Sequence, residues 1–312
     1  MSFDDLMQRA KEIEQRAAEV EYQHEVDTAS QGGPSGARGV NYAEIQRKYE
    51  GAAVPRFEPF AGMPDPESYD PLIEALGNAM QQLSSGKKDP INGGNITANP
   101  DLAQVDSAGD KLEDWTGEAA DKFKTNFLDP FPAVAENQFL LLGAMRGALE
   151  ADQERWRRAR DDIETIAKET LNGLDNTNSC GKNELKFTFS VAAAVAAVGS
   201  VPFTGGASAA VIPAVGAAGA VGAAGMDGAK LGDPKESNKE GGSAEQIIQS
   251  MKDSIDELTE EIRKSGGDVA KTLDAIPGEI KAARSDFVSA RPALAGMGGD
   301  EVTSDDGLGR AT

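Results

Sequence analysis

Residues 113–123 read EDWTGEAADKF and hold the first of only two tryptophans in the 312-residue chain. Trp115 follows two acidic side chains and stands two positions before Gly117, a residue type that weakens helices by about 1 kcal/mol relative to alanine. Helical spacing of apolar residues is found on both sides of this stretch. The pattern predicts two helices joined at a turn, with Gly117 reversing the chain and the Trp115 ring covering the open end of the hairpin.

Long amphipathic helices are predicted for most of the chain, because apolar residues recur at steps of three and four. The patterns cover residues 3–26, 123–174 and 248–287. Pro130 and Pro132 should interrupt the second pattern early, since proline removes a backbone donor and clashes with the preceding turn. No stretch shows convincing period-two alternation, so a sheet is not expected. The predicted fold class is all-α, an elongated bundle or coiled coil.

The composition shifts along the chain divide it into segments. A Gly-rich stretch follows the first helix, and the Gly, Asn and Pro residues of 84–100 should break the helical pattern before the tryptophan. The predicted segments are an N-terminal amphipathic helix at 1–27, a linker at 28–64, a helical hairpin at 65–178, an apolar Ala/Gly-rich segment at 187–226, a coiled-coil helix at 243–290 and a disordered tail at 291–312. Within the linker, the prolines and aromatics after residue 53 favour an extended segment that packs along another element.

The segment 187–226 contains no charged residue. Its length would suit a membrane span, but Pro202, Gly205, Gly206 and Pro213 divide it into two short arms, and Ala and Gly are weak membrane formers. One interpretation is a buried or disordered Ala/Gly segment. The other is a membrane-inserting hairpin.

The composition argues against several classes of function. The chain has 52 acidic and 31 basic residues and a net charge of −21, which disfavours nucleic-acid binding because phosphates attract Lys and Arg. A single cysteine, Cys180, cannot form an intramolecular disulfide, and a single histidine, His24, leaves no multi-histidine metal site. Phosphate-loop, dinucleotide, calcium-loop and nucleophile templates all fail. We therefore expect neither an enzyme nor a metal or cofactor site.

The stretch LEDWTGEAADKF resembles the turn of the WXG100 family, whose members are helical hairpins secreted by type VII (ESX) systems of Gram-positive bacteria. The matching residues are Trp115, Gly117, Ala119, Ala120 and Phe123. The resemblance covers roughly residues 68–175 and implies an antiparallel hairpin extended here by flanking helices. The family's export signal, Tyr-x-x-x-Asp/Glu after the second helix, is absent, because all four tyrosines precede Trp115.

The resemblance implies a non-enzymatic, type VII-associated protein that acts by helix-helix association with itself or with another WXG-type protein. Export would need no cleaved signal peptide and would depend on a partner that carries the signal; otherwise the protein would remain cytoplasmic. Two alternatives stay open. One is a membrane-active helical protein that inserts residues 187–226, and the other is an intracellular coiled-coil scaffold.

Overall fold

The structure is a computed structural model that describes residues 3–31, 39–112, 115–177, 184–202, 211–217, 234–289 and 297–304. The predicted predominance of helix is confirmed. The helices are α1 (Phe3–Gln31), α2 (Tyr42–Tyr49), α3 (Val54–Phe57), α4 (Asp70–Leu83), α5 (Pro100–Lys111), α6 (Glu118–Phe123), α7 (Phe131–Asn176), α8 (Ala244–Ala282) and α9 (Arg284–Phe287). The strands are β1 (Glu184–Phe189), β2 (Val195–Pro202), β3 (Val211–Ala217) and β4 (Lys235–Glu240).

The chain forms two compact units, and the long helices α7 and α8 contribute to each. The first unit comprises residues 1–68, 153–194 and 232–267. The second comprises residues 69–152, 195–231 and 268–312. The predicted division of the chain into six segments stays a prediction, because each compact unit draws on several of those segments.

Three long helices build the core of the first unit. The buried residues of α1 lie at steps of three and four, which confirms the predicted apolar stripe. They form one cluster with buried residues of α7 and α8, and these side chains include Leu6, Ala10, Ile13, Ala17, Ile163, Ile166, Leu174, Ile247, Met251, Ile255 and Leu258. Each large side chain that is fully buried contributes about 1.5–3 kcal/mol.

Residues 42–62, predicted as part of a linker, fold into α2, α3 and a 3-10 turn that pack on the core of the first unit. Phe57 is fully buried, so the predicted packing of this segment is confirmed although it is helical rather than extended. Glu14 of α1 accepts the backbone N–H groups of Ala53 and Val54 at 2.8 Å. A carboxylate of α1 thus satisfies donors that the short helix α3 cannot pair internally.

A two-stranded ribbon completes the first unit and contradicts the expectation that no sheet forms. Strands β1 and β4 pair antiparallel. Leu185, Phe187 and Phe189 of β1 are buried, and the residues between them are exposed. This alternation spans only five residues, which is why a search for longer patterns misses it. The ribbon is tied to α8 by lysines of β4, through Lys235–Glu261 at 3.0 Å and Lys239–Glu257 at 2.8 Å.

The connection between β1 and β2 is held by a buried carboxylate of α7. Asp162 accepts the N–H of Ser190 at 2.9 Å, the hydroxyl of Ser190 at 2.7 Å and the N–H of Val191 at 2.7 Å. Burial raises the pKa of the Asp162 carboxyl, although these hydrogen bonds act in the opposite direction. The polar groups of this turn are therefore satisfied inside the unit rather than by water.

In the second unit, the predicted break after α4 is confirmed, and the loop at 84–99 packs against α7. Asp89 is 4% exposed and forms an ion pair with Arg146 of α7 at 2.9 Å. Burial acts against the charge on Arg146, but the contacts with Glu150 and Asp89 outweigh it and raise the pKa of the guanidinium. Gly143 of α7 lies under Pro90, where an added Cβ would stand 2.5 Å from the proline Cγ.

The Ala/Gly-rich segment 187–226 forms no α-helix where it is described, and its helical part there is a 3-10 turn at Val191–Ala193. Residues 187–189 belong to β1, and strands β2 and β3 form an antiparallel pair with a bulge at Ala197/Gly199. Residues 203–210 and 218–226 lie outside the described residues. Among the helices of the described part, none is long and apolar enough to cross a membrane. A helical membrane hairpin is therefore not what the described parts of this segment form.

The predicted coiled-coil helix at 243–290 corresponds to α8 and α9. Helix α8 continues through Gly266, Gly267 and Pro277 and ends at Ala282. The next residue, Ala283, has a φ of −118° and a ψ of 41°, which are not helical. Of the predicted disordered tail, residues 291–296 and 305–312 lie outside the described residues. The remainder includes a 3-10 turn at Gly299–Thr303.

We predict opposite effects for two glycine-to-alanine changes in helices of the second unit. Gly143→Ala should destabilise the protein by about 1–3 kcal/mol, because the added methyl meets Pro90 and Met80. Gly77→Ala should stabilise it by about 0.5–1 kcal/mol, because Gly77 of α4 has open space around it and alanine is the better helix former. Urea denaturation followed by circular dichroism measures both. Equal effects of the two substitutions would contradict the packing of the 84–99 loop on α7.

Candidate interaction site at the tryptophan turn

The turn predicted at Trp115 joins α5 to α6 and forms at the expected glycine. Helix α5 ends at Lys111, and the N–H of Trp115 donates to the carbonyl of Leu112 at 2.9 Å. Gly117 has a φ of +110°, a conformation that favours glycine. Its carbonyl accepts the N–H of Asp121 at 3.1 Å, the first bond of α6. We call residues 112 and 115–128 the tryptophan turn.

A run of three aromatic rings lies along the tryptophan turn. The ring centroids of Trp115 and Phe123 are 5.6 Å apart, and those of Phe123 and Phe127 are 5.8 Å apart. Both separations are within the range of attractive aromatic pairs, which contribute about 0.5–1.5 kcal/mol beyond buried area. Trp115 is nevertheless 44% exposed. The outermost ring of the run is thus fixed in place by an aromatic neighbour and still open to solvent.

The predicted covering role of Trp115 is therefore wrong. A residue that closes the end of a bundle would be buried, and Trp115 is one of the large apolar side chains of the described residues that are exposed. The reason is that α5 ends at Lys111, so Trp115 does not continue the stripe of α5, and the ring lies against Phe123 instead. The predicted break between two helices at Gly117, in contrast, is present, while the antiparallel hairpin stays a prediction.

The other predicted site residues occupy α6. Ala120 is buried at 8% exposure, and Ala119 and Phe123 are half-buried. The small side chain of Ala120 lies beside an open space next to the Trp115 ring. The space is a cavity of about 260 Å³ lined by Leu112, Trp115, Thr116, Gly117, Ala120, Asp121, Phe123, Lys124 and Leu128. Four of the five predicted site residues, all except Ala119, thus line one cavity.

The cavity is smaller than typical small-molecule pockets, which enclose about 300–1,000 Å³. Its mixed wall combines apolar side chains with the charged groups of Asp121 and Lys124. A space of this size suits one or two apolar side chains of another protein better than a free ligand. Among the described residues, no group of three or more His, Cys, Asp or Glu side chains is arranged to hold a metal ion.

A π-helical turn at Lys124–Leu128 follows α6, and the sequence alone did not reveal it. The N–H of Asp129 donates to the carbonyl of Lys124 at 2.9 Å, across five residues instead of four. This wider turn places Leu128 at the cavity. The sequence feature nearest to this turn is the pair Pro130 and Pro132, which was predicted to interrupt the helix here. The interruption is present, because α7 begins only at Phe131. Single π turns are frequent at functional sites.

A second cavity, of about 460 Å³, lies in the first unit beside the other tryptophan. Trp156 forms its floor with Ile255 and Ile262, and Phe60 and Met63 form one wall. The guanidinium of Arg155 lies 4.0 Å from the centre of the Trp156 ring. The sequence motifs did not point to this cavity, because its wall comes from the segment predicted as a linker. Of the remaining candidates, His24 is exposed on α1 and Cys180 lies outside the described residues.

No protein-family model, curated protein or solved structure was found to match the chain. The resemblance of the tryptophan turn to the WXG100 family therefore depends on the motif residues alone.

We predict that Trp115→Ala lowers the free energy of unfolding by no more than about 1.5 kcal/mol, since the ring is exposed and its main contact is one aromatic pair. Phe139→Ala, in a helix of the same unit, should cost about 3–5 kcal/mol, because Phe139 is 1% exposed. Chemical denaturation of both variants measures the difference. If Trp115→Ala and Phe139→Ala lowered the free energy of unfolding by similar amounts, Trp115 would be a core residue and the exposed position would be contradicted.

Proposed function

We propose that the protein is a non-enzymatic, WXG100-like component of a type VII secretion pathway that acts by docking helices of another protein on its tryptophan turn. The observation that carries this proposal is the exposed Trp115 ring, held by Phe123 beside a cavity of about 260 Å³. An exposed tryptophan beside a recess that is partly apolar is a typical anchor of protein–protein recognition.

The Trp-x-Gly reversal between two helical segments supports the type VII part of the proposal. The motif residues Trp115, Gly117, Ala119, Ala120 and Phe123 stand at the start of a helical stretch that ends at Asn176. The proposed unit is an antiparallel WXG-type hairpin extended by flanking helices. Because the chain lacks the Tyr-x-x-x-Asp/Glu signal after this turn, we infer that export requires a partner that supplies it.

The charge of the chain favours a partner other than a second copy. At a net charge of −21, two copies repel each other at low ionic strength. A less acidic helical protein of the WXG type would be repelled less strongly. Its apolar side chains would enter the cavity next to Trp115, and each would contribute about 1.5–3 kcal/mol when fully buried.

The test is export from a bacterium that produces the protein and carries a type VII ATPase. The protein should be found in the culture supernatant, and deletion of the ATPase should remove it. Trp115→Ala should reduce the exported amount several-fold while the amount inside the cell stays constant, because the variant folds but lacks its docking anchor.

Leu72→Ala is the matched control for this test, because Leu72 is 53% exposed on α4 and does not line the tryptophan turn. It should be exported as the wild type is. Export that continues without the ATPase would contradict the type VII assignment. Equal export of the Trp115→Ala and Leu72→Ala proteins would contradict the role of the tryptophan turn.

A further inference from the structure

The C-terminal region of the chain returns to the tryptophan turn. The 3-10 turn at Gly299–Thr303 contacts α6, although about 180 residues separate the two in sequence. Helix α6 is also the element that lines the cavity with Ala120, Asp121 and Phe123. A C-terminal segment therefore lies on the same short helix that presents the proposed docking surface.

The Gly299–Thr303 turn has few ties to its surroundings. Within the described part of the chain, the hydrogen bonds of residues 298–304 all stay inside that segment. The N–H of Glu301 donates to the carbonyl of Gly298 at 3.3 Å, and the N–H of Ser304 donates to the carbonyl of Glu301 at 3.3 Å. The two other bonds are also internal. No ion pair joins the turn to α6 among the described residues. Apolar contact is then the interaction to consider between the described turn and α6.

Within Gly299–Thr303, Val302 is the apolar side chain that can supply such a contact. It is the one large apolar side chain of the sequence GDEVT, and it is half-buried while its acidic neighbours Asp300 and Glu301 are exposed. Met297, next to the turn, is also half-buried. A contact that depends on these two side chains opens at low cost, because segments with few buried contacts are the least stable parts of a protein. The turn can therefore leave α6 without disturbing the core of the second unit.

We propose that the Gly299–Thr303 turn is a displaceable cover on α6 that competes with the partner of the tryptophan turn. This inference concerns regulation and rests on the proposed docking function of that site. The cover does not line the cavity, but while it lies on α6 it occupies part of the helix that forms the cavity wall. A partner helix gains full access only when the cover leaves, so the apparent affinity is reduced by the fraction of covered molecules.

The test uses the full chain and the apolar dye bis-ANS as the probe of the docking surface. The signal of interest is the part of the dye binding that Trp115→Ala removes. Val302→Ser should lower the apparent Kd of this Trp115-dependent dye binding by roughly two- to ten-fold. That range is expected if half to nine-tenths of the wild-type molecules are covered. Hydrogen exchange of the peptide 117–128 should rise in the same variant.

Val288→Ser is the matched control, because Val288 is 49% exposed after α9 and the cover does not include it. It should leave both the dye affinity and the exchange of 117–128 unchanged. If Val302→Ser leaves the Trp115-dependent binding unchanged, the cover is overturned and the docking function stands. If Trp115→Ala removes no dye binding in any background, the docking surface itself is wrong and the cover falls with it.

Discussion

Burial of the apolar stripe of α7 is the interaction on which both units depend. In the first unit, Ile163 and Ile166 of this helix are almost completely buried. In the second, Phe139, Ala144 and Ala148 are buried in the same way. Because a helix of 46 residues exposes its stripe to water unless other elements cover it, most of the remaining structure is determined by what packs on α7.

The elements that pack on α7 differ along its length, and the sequence explains this difference in part. Large residues at steps of three and four in α1 and α8 predict long helices, and these form the core of the first unit. In the second unit, the glycine at position 143 admits a proline-containing loop instead of a helix. The glycine within this helical pattern does not predict that Pro90 packs on it, and it does not predict the Asp89–Arg146 ion pair. Both contacts involve a segment more than fifty residues earlier in the chain.

The strands illustrate a similar limit. The alternation at Leu185, Phe187 and Phe189 was readable, but it borders an Ala-rich segment that obscures it. Strand β4, with the sequence KESNKE, has no strand-forming residues at all. It forms by pairing along its whole length with β1, and Lys235 and Lys239 add contacts with Glu261 and Glu257 of α8. These tertiary interactions override local propensity. For the candidate site, the sequence predicted the helix break at Gly117 correctly but placed the exposed Trp115 ring inside the protein.

That ring is the centre of the functional account. A buried Trp115 would make the Trp-x-Gly motif a structural device, whereas an exposed ring fixed by Phe123 is available to another molecule. Fluorescence of the Trp156→Phe variant, in which Trp115 is the only remaining tryptophan, tests this most directly. The account predicts long-wavelength emission that acrylamide quenches efficiently in the free protein. Short-wavelength emission protected from acrylamide would contradict it.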